Sequence, residues 1–137
     1  MTGIERLRFN YAKILLETEE KCTVEVSLSF AQRTILAMAD GSRDDLGRLK
    51  ATATATLEGV REAIGGHFHC TLVDLDHVHA LGKNLIAVLV DIDFEDKHAQ
   101  VFGSCQIFST EMDAAAKAAL SATNRFVELA IRTALNK

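Results

Sequence analysis

The chain has 137 residues, of which 48% are hydrophobic and 25% are charged, and these proportions predict one packed domain over residues 1–137. The formal net charge of −4 and a pI near 5.7 leave no broad basic surface, so we expect no nucleic-acid partner. The longest strongly apolar stretch, residues 84–90, is far shorter than the roughly 20 residues of a membrane-spanning helix, so we expect no membrane partner. Three widely spaced cysteines without a CxxC motif, and an N-terminal segment charged at short intervals, predict a cytoplasmic protein.

The first segment of the chain, residues 4–16, is compatible with two kinds of element. Leu7, Phe9 and Tyr11 alternate with polar residues, as in a half-exposed strand. The spacing of Ile4, Leu7 and Tyr11 also fits one face of a helix. We favour the strand, because it makes the two halves of the chain alike, and the helix remains the alternative.

A hairpin is predicted after this segment. Apolar and polar residues alternate over residues 24–30, which indicates a strand with one buried face. Residues 31–32 turn the chain back into a second strand over residues 33–39. That strand ends at Asp40-Gly41, a pair typical of turns.

A long helix is predicted next. Ser42 is followed three residues later by Asp45, and this spacing resembles the capping box that begins a helix. Gly65 and Gly66 end the helix, because glycine adopts the backbone conformation of a helix C-terminus at low cost. The apolar residues at helical spacing are Leu46, Leu49, Ala53, Leu57, Val60 and Ile64.

The second half of the chain repeats this order. Strands are predicted over residues 68–80, 85–94 and 99–108. Thr110 and Asp113 form a second capping pair for a helix that runs to about Leu135. Its apolar stripe consists of Met112, Ala116, Leu120, Thr123, Val127, Ala130 and Ile131.

These elements predict an α+β domain in which a βββα unit occurs twice, as an internal repeat over residues 4–65 and 67–136. The predicted fold is a six-stranded antiparallel sheet with two long helices packed on one face. The alternative, with a helix at the N-terminus, has the order αββαβββα. That order is found in roadblock or profilin-like domains, and it implies a protein-interaction module that binds a small GTPase.

Two segments carry a resemblance to a known family, VDLDHVHALGKNLIAVLVDIDF and GSCQIFSTEMDAAAKAALSATNRF. Over residues 70–126 the chain resembles the C-terminal regulatory and dimerisation domain of 2-isopropylmalate synthases. The positions that match are Val73, Asp74, Val78, His79, Ala80, Gly103, Ser109, Thr110, Ala116, Ala119, Asn124 and Arg125. The resemblance implies a stand-alone relative of that domain, a homodimer with small-molecule pockets near the N-termini of its two helices. The first helix departs from the family, with ADGSRDDLGRL in place of a Gly-Pro-Val-Asp-Ala-like start.

The predicted starts of the two helices are the candidate ligand-binding sites. Free backbone N–H groups at a helix N-terminus can receive a carboxylate or a phosphate. Simple helix capping is the alternative interpretation of the same residues. The residues concerned are Gly41, Ser42, Arg43, Asp45, Ser109 and Thr110.

The sequence contains no recognisable catalytic constellation, so we expect a non-enzymatic module without a cofactor. The expected partners are a second copy of the chain and either a small metabolite or another protein. The alternative is an enzyme whose site is completed at an oligomer interface. We predict no metal site, and the alternative is a pair of imidazoles from His67 and His69, which lie two residues apart.

Overall fold

The computed structural model describes residues 6–135, which form strands and helices in the order βββαβββα. The elements are β1 Arg8–Glu17, β2 Lys21–Phe30, β3 Arg33–Ser42, α1 Asp45–Ile64, β4 Phe68–Ala80, β5 Lys83–Phe94, β6 Lys97–Gln106 and α2 Glu111–Leu135. The predicted α+β fold with two βββα units is confirmed. Because the N-terminal segment forms β1, the alternative order αββαβββα is wrong. Residues 4, 5 and 136 of the predicted repeats lie outside the described residues.

The strands form two antiparallel sheets of three strands, in the orders β1-β2-β3 and β4-β5-β6, and not one sheet of six. The helices separate them. Helix α1 contacts β2 and β3 of the first sheet and β4 of the second, and α2 contacts β5 and β6 of the second sheet and β1 of the first. The two helices also contact each other. The helices therefore form a middle layer, and each sheet has one face on the helices and one outer face.

The small residues of the helices are explained by this middle layer. Thr52 and Thr56 are buried, and each hydroxyl donates a hydrogen bond to the carbonyl one turn earlier, of Arg48 and Thr52. Helix α2 buries alanine on several sides, and a Cβ added at Gly103 of β6 would overlap the carbonyl oxygen of Ala118. Small side chains let the backbones of helix and sheet approach closely. The buried alanines of α2 are Ala114, Ala115, Ala116, Ala118, Ala119, Ala122 and Ala130.

The β2–β3 and β4–β5 hairpins have the same kind of two-residue turn. The β2–β3 pairing ends at Phe30 and Arg33, and the β4–β5 pairing ends at Ala80 and Lys83. Both residues of each turn have a positive φ, 52° and 62° at Ala31 and Gln32 and 54° and 75° at Leu81 and Gly82, as in the turn that fits the twist of a two-residue hairpin. Strand β3 also extends beyond the predicted end at residue 39, to Ser42.

The predicted cap of α1 is wrong, whereas the predicted cap of α2 and the predicted end of α1 are confirmed. The N-cap of α1 is Asp44 and not Ser42, because Ser42 still pairs with Lys21 as the last residue of β3. The Asp44 carboxylate accepts a hydrogen bond of 2.6 Å from the Gly47 N–H. At α2 the predicted cap is confirmed, since Thr110 Oγ1 accepts from the Asp113 N–H at 3.0 Å. Gly65 ends α1 as predicted, with φ of 68°.

Candidate ligand-binding cleft at the helix N-termini

The N-termini of α1 and α2 lie side by side and enclose a cleft of about 120 Å³. The first turn of each helix supplies one wall. The residues that line the cleft are Asp45, Arg48, Leu49, Thr110, Glu111 and Met112. The two helix starts that the sequence predicts separately therefore line one cleft.

Glycines fix the position of the first turn of α1 on the sheet. A Cβ added at Gly41 would overlap the carbonyl oxygen of Gly47, and one added at Gly47 would overlap the backbone of Ser42. The end of β3 therefore packs directly on the start of α1. This contact holds that wall of the cleft in place.

Backbone amides at the start of each helix contribute partial positive charge to the cleft. The first amides of an α-helix have no carbonyl partner within the helix, and the helix dipole adds partial positive charge at the same end. The two caps occupy the amides of Gly47 and Asp113. The amides between each cap and the residue that it caps, of Asp45 and Leu46 in α1 and of Glu111 and Met112 in α2, are left as donors for an anionic group.

Arg48 is the cationic side chain of the cleft. Its guanidinium lies 3.7 Å from Glu17 Oε1 and 3.9 Å from Asp45 Oδ1, and its Nε donates to the Arg43 carbonyl at 3.1 Å. Arg43 also contacts Glu17, at 3.2 Å from Nε to Oε1. Glu17 of β1 therefore holds both arginines, of which Arg48 lines the cleft.

Apart from Thr110, the remaining lining groups are acidic or apolar. The Asp45 side chain is 91% exposed, and Glu111 begins α2 opposite to it. Leu49 is buried, and Met112 is half-buried against the core. The cleft therefore combines a cation, two carboxylates and an apolar floor, so a ligand with both charges and an apolar part finds a partner for each.

Two of the six predicted site residues, Asp45 and Thr110, line this cleft. The other four have structural contacts elsewhere. Gly41 packs on α1, the Ser42 hydroxyl donates to Asp44, Arg43 contacts Glu17, and the Ser109 hydroxyl donates to Asp113. The sequence prediction missed Arg48, Leu49, Glu111 and Met112. Their positions near the start of each predicted helix could have indicated them, with Glu111 and Met112 in the first turn of α2 and Arg48 and Leu49 at the end of the first turn of α1. They become neighbours only because the two helix starts lie side by side.

The histidines considered for metal binding lie at the start of β4. His67 is in the turn before the strand, and His69 is exposed on the outer face, directly opposite Asp93 of β5. Asp93 contacts His98 of β6 at 2.7 Å. The hydrogen bond to Asp93, together with its charge, raises the pKa of His98. Within residues 6–135 no three His, Cys, Asp or Glu side chains are grouped closely enough to hold a metal ion.

Cys70 is a buried thiol next to α1. Its sulfur donates to the Leu57 carbonyl at 3.5 Å. Burial raises the pKa of Cys70 to about 12, so the thiolate that a nucleophile requires is scarce at neutral pH. The thiol therefore serves to pack β4 against α1.

No protein-family model matches the sequence, and no curated protein matches it. None of the helices in the described part of the chain has the length and apolarity needed to cross a membrane.

Proposed function

We propose that the protein is a non-enzymatic, homodimeric regulatory module that binds a small metabolite in the cleft between the two helix N-termini. The observation that carries this proposal is the convergence of two helix N-termini on one cleft with a cation, two carboxylates and an apolar floor. We place the module in the cytoplasm, as its composition predicts.

The groups of the cleft favour a zwitterionic amino acid as the ligand. The carboxylate of an amino acid accepts hydrogen bonds from the first-turn amides and from Arg48. Its ammonium group lies between the carboxylates of Asp45 and Glu111. Its side chain contacts Leu49 and Met112.

The size of the cleft restricts the ligand further. Its volume of about 120 Å³ is roughly that of four water molecules in the liquid, at about 30 Å³ each. Pockets for larger ligands measure roughly 300–1,000 Å³. An amino acid with a small side chain fits, and a nucleotide or an acyl-CoA is too large.

The resemblance of residues 70–126 to the regulatory domain of 2-isopropylmalate synthases supports the same proposal. It implies a homodimer with small-molecule pockets near the N-termini of the two helices. The proposed cleft lies at those N-termini. In that family the start of the first helix binds the feedback amino acid, and the different start here, ADGSRDDLGRL, favours another amino acid as the ligand.

The test is a thermal melt of the protein with each of the twenty amino acids, and with nucleotides and acyl-CoAs for comparison. A ligand at about 100 times its dissociation constant stabilises the folded state by roughly 2.7 kcal/mol, which raises Tm by several degrees. Arg48→Gln removes the cation of the cleft. Arg43→Gln is the matched control, because Arg43 contacts the same Glu17 carboxylate.

We expect one or a few small amino acids to raise Tm of the wild type and of Arg43→Gln, and to have little effect on Arg48→Gln. A panel without any shift contradicts the ligand-binding proposal. A rise in Tm that is equally large in Arg48→Gln places the ligand at another site and contradicts binding in the cleft.

A further inference from the structure

The four edge strands of the two sheets differ in regularity. The pairing of β1 with β2 has two register shifts, and the pairing of β4 with β5 has one. By contrast, β3 and β6 pair with their neighbours over ten residues without a shift. Bulges twist an edge and oppose the addition of another strand. The edges open to strand addition are therefore those of β3 and β6.

The free edge of β3 presents regular backbone groups and apolar side chains. Because Arg33 closes the two-residue turn by bonding Phe30, the alternation of an antiparallel ladder directs the N–H and C=O of Thr34, Leu36 and Met38 away from β2. Within residues 6–135 these groups make no backbone hydrogen bond to another element. Leu36 and Met38 are 53% and 59% exposed. A long, regular, apolar edge of this kind is where a further strand adds.

Charge favours β3 over β6 as the edge that a second copy occupies. On the outer face of the first sheet, Lys21 lies 3.4 Å from Asp40, and a second pair joins Lys13 to Glu25. The outer face of the second sheet is acidic, and joining two copies through β6 would bring the acidic faces together. The acidic residues of that face are Asp76, Asp91 and Asp93, whereas Asp74, next to the bulge of β4, contacts Lys50 of α1.

We infer that two copies of the chain associate through antiparallel pairing of their β3 strands, which joins their first sheets into one sheet of six strands. In the register about a twofold axis at Ala37, Leu36 lies opposite Met38 of the second copy, so each exposed side chain is covered by the other. Thr34 lies opposite Asp40, a hydroxyl donor opposite a carboxylate. This inference rests on the homodimer of the proposed function and specifies its interface.

A groove beside β3 supports self-association. Ala37 and Met38 line it together with Glu58, Arg61 and Glu62 of α1, and its volume is about 410 Å³. Residues close to a twofold axis face the same residues of the second copy. Because Arg61 pairs with Glu58 of the same helix at 3.0 Å, this wall carries charges of both signs and does not repel the same wall of a second copy.

Proline substitution tests the edge selectively. Met38→Pro removes an N–H that points to the free edge, so it removes no hydrogen bond to β2. Phe102→Pro makes the same change at the corresponding position of β6, where Phe102 is 80% exposed. By analytical ultracentrifugation we expect dimers for the wild type and for Phe102→Pro, and a monomer for Met38→Pro. Circular dichroism and a thermal melt establish that each variant is folded.

A cross-linking measurement covers the case in which Met38→Pro does not fold. An equimolar mixture of Leu36→Cys and Met38→Cys chains, mildly oxidised, is expected to form a disulfide-linked dimer. The matched mixture of Gln100→Cys and Phe102→Cys chains is expected to remain unlinked. A wild-type dimer that survives Met38→Pro and does not cross-link at β3 overturns the interface and leaves the homodimer intact. A monomeric wild type overturns both.

Discussion

Gly103 marks the place where α2 lies directly on the second sheet, and substituting it tests that packing. In Gly103→Ala the new Cβ would overlap the Ala118 carbonyl oxygen and the Ala122 backbone nitrogen. Both are backbone atoms within the helix, so a side-chain rotation does not relieve the overlap. Overpacking of this kind costs about 1–3 kcal/mol, and we expect a value at the upper end of that range.

The assay is thermal unfolding followed by circular dichroism, with urea unfolding as a second measurement. For a domain of this length, each kcal/mol lowers Tm by about 3–4 °C, so we expect Tm to fall by about 10 °C. Ser104→Ala is the matched control, because Ser104 is the exposed neighbour on the same strand. Its stability is expected to stay within about 0.5 kcal/mol of the wild type. Equal Tm values for Gly103→Ala and the wild type would refute the close packing of α2 on β6.

Three further predictions concern the cap, the buried thiol and the exposed histidine. Asp44→Ala should lower the free energy of unfolding by about 1 kcal/mol in urea titrations, and more than Ser42→Ala does; the reverse order would contradict Asp44 as the cap. Cys70 should resist a thiol reagent at pH 8 in the folded protein and react after denaturation, because burial raises its pKa to about 12; a fast native reaction assigned to Cys70 by mass spectrometry would contradict its burial. In NMR titrations the pKa of His98 should fall in Asp93→Asn, since Asp93 raises it. Because the folded pKa of His98 is raised, its contact with Asp93 stabilises the folded state. This stabilisation is fully present at pH values below the unfolded pKa of about 6.5, and it is lost as the pH rises through the folded pKa. An unchanged His98 titration would show that the contact with Asp93 is absent in solution.

The pattern of apolar residues predicts most of the elements because each spacing has a local physical cause. The strict alternation over residues 24–30 reflects a strand with one face on α1, and Gly65 ends a helix because of its φ. The cap of α1 could not be predicted from local spacing alone. Ser42 has the favoured side chain for a cap, but pairing with Lys21 holds it in β3 and leaves the role to Asp44.

The division into two sheets depends on contacts between distant parts of the chain. An element order of βββαβββα is compatible with one sheet or with two, and the packing of α1 against both β3 and β4 decides between them. The same holds for the cleft. Capping patterns locate Thr110 and Asp45, whereas Arg48 and Met112 become neighbours only because the two helices pack side by side.

The most direct test of the proposed ligand-binding function is a ¹H–¹⁵N NMR titration of the protein with the amino acid that raises Tm most. The structure predicts that the largest shifts occur at the amides of Asp45, Leu46, Glu111 and Met112, and at the Arg48 side chain. Such a cluster supports binding between the two helix N-termini. Shifts confined to another region, or none at saturating ligand, would contradict the proposed site.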